Sequence, residues 1–195
     1  MSYTPHSLLD ASKLLADIAN IDWATAHRFY RNLQADPDPW LPKSLGRNIW
    51  HAHPHYIARL LIALSMSESP EGATAAVNAV LELTPGGRGR YLTETDQSLV
   101  EMALTQFLIH ADQADNVERV EFDPVEVTVA IVFKNGTVTA FSRPEASEGS
   151  INGTIYRRGI NAGPVLSALA RAINWRRYCD APLDKVVDGL VNDEA

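Results

Sequence analysis

Apolar residues recur first at helical spacing along this chain and only later at alternate positions. Over residues 7–19, Leu8, Leu14, Leu15 and Ile18 fall broadly on one side of a helix that Ser7 can cap. A second helix is predicted at 23–34, where Trp23, Ala26, Phe29, Tyr30 and Leu33 keep i, i+3, i+4 spacing behind Asp22. The DPDPW run stops it, because proline removes a backbone donor and biases its predecessor out of the helical region. Residues 40–54 read as short and irregular, with an extended hairpin as one arrangement. Helices follow at 55–66, with Ile57, Leu60, Leu61 and Leu64 on one stripe, and at 70–83, opening on Ser69-Pro70. PGGRGR interrupts the pattern as a linker. Thr93 with Asp96 then has the spacing of a capping box for a helix at 94–111 that turns Leu99, Ala103, Phe107, Leu108 and Ala111 inward.

From Val125 the period becomes two. Val125, Val127, Val129, Ile131 and Phe133 share one face, and Asn135-Gly136 supplies a two-residue turn into a return strand at 137–142. Pairing Phe133 with Val138 sets Ile131 opposite Ala140. A third strand is expected near 154–158. A last helix at 163–175 carries Pro164 in its first turn and buries Val165, Leu166, Leu169 and Ile173. Helices, then a hairpin, then a helix is an α+β order.

Composition narrows the class. In 195 residues, 46% are hydrophobic and 21% charged, which fits a globular chain and excludes wholesale disorder. Cys179 is the single cysteine, so there is no intrachain disulfide or cysteine-built zinc site; with no signal-peptide pattern at the start, a cytoplasmic location is expected. No apolar run is long enough to span a bilayer, so no membrane partner is expected. The net charge of −7 argues against nucleic acid until the chain is divided. Residues 1–65 carry six Lys/Arg against five Asp/Glu, and the stretch from Arg28 to Arg59 is +3. The remaining residues hold eleven basic against nineteen acidic side chains, so the acidity lies there.

Helix, short turn, helix, basic extended segment and apolar helix is the order of a winged helix-turn-helix, whose second helix enters the major groove. The outer face at 23–34 offers His27, Arg28, Arg31, Asn32 and Gln34. Arginine reads guanine or phosphate, and Asn32 and Gln34 suit adenine. Lys43, Arg47 and Asn48 are placed to contact phosphates from the wing. The segments then divide as 1–66, the DNA-binding head; 67–119, a helical connector; 120–180, an α+β part for dimerisation or partner binding; and 181–195, an acidic tail.

The run LLADIANIDWATAHRFYRNLQADPDPWLPKS resembles the MerR-like winged helix-turn-helix module, through Arg28-Phe29-Tyr30-Arg31 and Leu41-Pro42. YIARLLIAL, from Tyr56 to Leu64, stands where the helix after the wing would be. The layout is also similar to small prophage and gene-transfer-agent regulators. The resemblance covers about residues 8–64 and implies double-stranded DNA as partner and a transcriptional regulator, with a homodimer expected. It departs from the family in the turn ANIDWA, which has no glycine, in the inserted DPDP, and in the missing dimerising coiled coil. Metal or drug sensing does not carry over.

Other motifs support other chemistries. His51, His53 and His55 form a His-x-His-x-His run; on a strand they would share one side and make a metal-dependent hydrolase site. No distant ligand partner is evident, so neither metal nor cofactor is expected. Arg88 and Arg90, beside Gly86-Gly87, have the composition of a minor-groove contact or of a simple linker. Ser150, Ser167 and Cys179 lack any catalytic context, and no enzyme is expected. A protein–protein adaptor on the same scaffold is the remaining alternative.

Overall fold

Ser7 starts the first helix, α1 (Leu8–Ile18): its hydroxyl oxygen accepts from the Asp10 amide at 3.1 Å, while Leu8, Ala11, Leu15 and Ala16 turn inward. The computed structural model describes residues 5–35, 37, 39–43, 49–87, 98–144 and 162–175. α1 closes on Asn20 at φ +54°. The Asn20 amide donates to Asp17 and the Ile21 amide to Ala16, at 3.2 and 2.8 Å. This is a Schellman closure, with asparagine in the left-handed position where glycine is usual. Asp22 then accepts from the Thr25 amide at 3.0 Å and opens α2 (Trp23–Ala35).

Pro54 occupies the first position of α3 (Pro54–Met66), which is buried on nearly every side. It packs against α1, α2 and two later helices, α4 (Ala73–Leu81) and α5 (Leu99–Ile109). The helix expected at 70–83 begins instead as a 3-10 turn, Pro70–Gly72. The short helix α6 (Ala111–Ala114) precedes the sheet, and α7 (Ala162–Ala172) follows it. α7 packs against α1, α5, α6 and the first long strand. Its Val165, Leu166, Leu169 and, just beyond it, Ile173 are buried as the spacing predicts.

The sheet is antiparallel, in the order β1-β4-β3-β2, built from β1 (Thr84–Pro85), β2 (Val117–Asp123), β3 (Thr128–Phe133) and β4 (Val138–Ser142). The fold is α+β. One cluster of buried side chains runs from Leu8 and Leu33 through Leu61 and Leu104 to Val129 and Leu169, so the head, connector and C-terminal segments share a core. Among the described residues no helix is long and apolar enough to cross a membrane.

Four expectations need correction. Among the described residues the helix expected at 94–111 starts at Leu99 and ends at Ile109, capped at its start by Ser98. Its hydroxyl accepts from the Glu101 amide at 2.9 Å; Thr93 and Asp96 lie outside those residues. Val125 and Val127 are not strand residues. Asp123 accepts from the Val125 and Glu126 amides at 2.9 and 3.0 Å, making a turn in which Val127 sits at φ +51°. The hairpin register is offset by one: Val132, not Phe133, faces Val138, and Ala130 faces Ala140. The loop holds three residues, with the Gly136 amide donating to Phe133 and Gly136 at φ +82°, which is the turn-plus-bulge solution rather than a two-residue turn. In 40–54 the described residues pair with the N-terminal segment, not with each other: Ser7 bridges His51, and the Ala52 amide donates to His6. The strand expected at 154–158 and the tail at 181–195 lie outside the described residues.

Candidate nucleic-acid interface

α2 presents two of its cations to solvent, Arg28 and Arg31, with His27 and Asn32 half-buried beside them. Lys13 reaches over the Trp23 ring, 5.9 Å from its centre, and His27 lies between Trp23 and Tyr30, 5.1 and 6.1 Å from their centres. Arg31 faces an open cleft of about 640 Å³ lined by Leu9, His27, Tyr30, Gln34, Ala35 and Lys43. Four of the residues expected to touch DNA, namely His27, Arg31, Gln34 and Lys43, therefore line one cleft between α1, α2 and the following loop.

Lys43 is carried there by a chain of bonds along residues 40–43. Leu41 is buried and its amide donates to Leu33 at 3.2 Å, the Gln34 side-chain amide donates to the Pro42 carbonyl at 2.6 Å, and the Trp50 indole N–H donates to the Lys43 carbonyl at 2.9 Å. Lys43 and Trp50 thus lie side by side, while Arg47 and Asn48 lie outside the described residues, as do Arg88 and Arg90.

Arg28 points elsewhere. Its guanidinium meets Glu71 of the 3-10 turn at 3.3 Å, with both side chains about two-thirds exposed, a pair worth little in water. Asn32 donates back to the Arg28 carbonyl at 3.0 Å. Gln34 is not on the outer face. It is 5% exposed and its amide donates to Tyr30 and Pro42, which removes it from the set of adenine readers. Burial raises the Tyr30 phenol and keeps it protonated.

The histidine run does not form a ligand set. Pro54 starts α3 between the second and third imidazoles, so His51 stays in the bridge to Ser7, His53 stands at the helix cap and His55 lies on the first turn. His53 and His55 have ring centres 5.5 Å apart, and His55 stacks obliquely 3.9 Å from Tyr56. Burial, with the Arg59 charge adding to it, pushes His55 down to about 3, so this imidazole is neutral. Among the described residues no group of three His, Cys, Asp or Glu side chains is gathered to hold a metal.

One set of residues went unforeseen. Arg59 of α3 donates from Nε to both Glu101 oxygens at 3.1 Å and from Nη1 to the Trp40 carbonyl at 3.0 Å, with its guanidinium carbon 4.9 Å from the Trp40 ring centre. Glu101 is 1% exposed, and burial pushes its carboxyl up to about 7 despite the arginine. Ser98-Leu99-Val100-Glu101 signals a helix start with an acid three residues on, but no sequence signal joins that acid to Arg59. Comparison with family models, curated proteins and solved structures yields no match to this chain.

Proposed function

We propose that the chain is a DNA-binding transcriptional regulator of bacterial or phage type, with α1 and α2 as its helix-turn-helix and α2 as the reading helix. The observation that carries this is the meeting of Arg31, His27 and Lys43 at one open cleft on the exposed side of α2. Two helices joined by a tight asparagine turn and braced by a third suit insertion of the second into a major groove. Arg31 and Lys43 then neutralise backbone phosphates and set the register. Arg28 and Asn32, on either side of Arg31 in the same helix, reach base edges once Arg28 exchanges Glu71 for the duplex. An overall charge of −7 makes non-specific affinity weak and favours a dimer on two half-sites, with the C-terminal segment joining the copies or a protein partner. No step in this reading requires a catalytic group.

A mobility-shift experiment with fragments of the source genome tests it. The wild-type chain retards at least one fragment at low salt, and its log affinity falls linearly with log salt. Replacing Arg31 and Lys43 with alanine reduces that slope by roughly one for each phosphate left without its cation. Absence of retardation, or an Arg28→Ala/Arg31→Ala double variant binding as tightly as wild type, rejects the reading. Salt-insensitive binding to a protein instead favours the adaptor.

A further inference from the structure

The segment that carries Lys43 to the cleft is also held from the far side of the molecule. Arg59 touches three elements at once: its own α3, Glu101 on α5, and the Trp40 carbonyl at the exit of α2. Only a planar guanidinium with several donors spans a carboxylate and a carbonyl in this way; an ammonium is a point charge on a flexible stem. Trp40 directly precedes Leu41, Pro42 and Lys43, whose own bonds run to Leu33, Gln34 and Trp50.

We propose that Glu101 and Arg59 are positioning residues for the DNA-binding head, the ionised Glu101 holding Arg59 on Trp40 and thereby fixing the segment that presents Lys43. The inference rests on the DNA-binding reading for its function, though not for its geometry. When Glu101 takes up a proton, Arg59 loses its counter-charge and the 40–43 segment loosens. The carboxyl titrates near neutral pH because it is buried. The groups facing the pair come mainly from α3, namely Tyr56, whose phenol is raised by burial, and the neutral His55. α4 carries no titratable side chain; α6 carries Asp112, and α7 carries Arg171, which is bound to Asp115. Loss of a carboxylate makes the protein more positive, which by itself strengthens DNA binding. The proposed loosening weakens it, so the sign of the pH effect separates the two.

The test compares wild type with Glu101→Gln and Arg59→Lys in two measurements. Amide exchange is followed at Trp40, Leu41 and Lys43, the residues of 39–43 that carry an amide N–H, with the centre of α3 as internal reference, and affinity is measured for a labelled source-genome fragment that the wild-type chain retards. At about pH 8 the Trp40, Leu41 and Lys43 amides of wild type exchange roughly fivefold more slowly than those of Glu101→Gln, and at about pH 6 the difference closes, with α3 unchanged. Duplex affinity of wild type falls from the higher to the lower pH, that of Glu101→Gln does not, and Arg59→Lys fails to restore the wild-type profile. Equal exchange in wild type and Glu101→Gln at both pH values overturns the proposal, as does a pH profile of DNA binding that Glu101→Gln leaves intact. If no source-genome fragment binds at any pH, the DNA-binding reading falls, and the exchange comparison still decides whether Glu101 positions the segment.

Discussion

The Gln34 side-chain amide donates to the Pro42 carbonyl at 2.6 Å and to the Tyr30 hydroxyl at 3.2 Å, closing the chain that leaves α2 back onto its own helix. Gln34→Ala leaves the carbonyl and the hydroxyl without that donor and lowers stability by about 1–3 kcal/mol in urea unfolding. Asn32→Ala, whose amide returns only to the Arg28 carbonyl, costs under about 1 kcal/mol in the same measurement. Comparable losses at the two positions would contradict this division.

The Glu101 carboxyl, raised from 4.5 to about 7, binds its proton more tightly in the folded chain than in the unfolded one. Its contribution to stability is therefore greatest below about pH 4.5 and declines as pH rises through about 7. Glu101→Gln flattens that decline. Arg59→Ala leaves a carboxylate at 1% exposure without its cation and costs about 3–5 kcal/mol at alkaline pH, recovering as the medium is acidified. Denaturant midpoints collected across pH for the three chains provide the check.

A methyl group at Gly163 meets the Glu118 carbonyl oxygen at 2.5 Å and that of Val117 at 2.8 Å, both backbone atoms of β2 that cannot swing aside. Gly163→Ala, which raises helix propensity elsewhere, here pushes α7 off the strand and costs about 1–3 kcal/mol, read as a lowered melting temperature. An unchanged or raised melting temperature would show that α7 does not sit this close to β2.

At the other face of α7, Ser167 donates to Asp115 at 2.6 Å and Arg171 grips the same carboxylate. These bonds hold the Asp115 carboxyl down to about 2 from its usual 3.8. Its stabilising contribution is present above about pH 3.8 and disappears as pH falls through about 2. In an acid titration followed by circular dichroism, Asp115→Asn lowers stability above that window and removes the corresponding part of the acid-induced loss within it.

Helical spacing was legible because it depends on neighbours three and four residues away. α1, α2 and α3 lie within a residue of their expected bounds, and α7 starts within one residue of its expected bound but ends three residues early, at Ala172. β2 was not legible: a bulge between Val117 and Arg119 breaks its alternation, leaving Val117, Val120 and Phe122 buried at uneven intervals. The alternating valines suggest a β3 that extends back to Val125, but the aspartate of Asp123-Pro124 builds a turn there. At the candidate site, the exposed arginines of α2 followed from its periodicity. Gln34 did not, because the group that satisfies it arrives from Pro42, across a loop whose path no local rule determines. The Arg59–Glu101 pair lies 42 residues apart in the chain, beyond the reach of any spacing argument.

His6 exchanges two bonds with Asn174: its amide donates to the Asn174 carbonyl at 2.9 Å, and its Nδ1 accepts the Asn174 amide at 2.8 Å, while its own carbonyl takes the Ala52 amide. A ribosome delivers these partners in the order 6, 52, 174. The segment leading into α1 therefore remains without its last support until α7 has emerged. A chain released early would carry α1, α2 and α3 with this tether unmade, so the start of α1 in a prematurely terminated copy lacks a support that the full chain supplies.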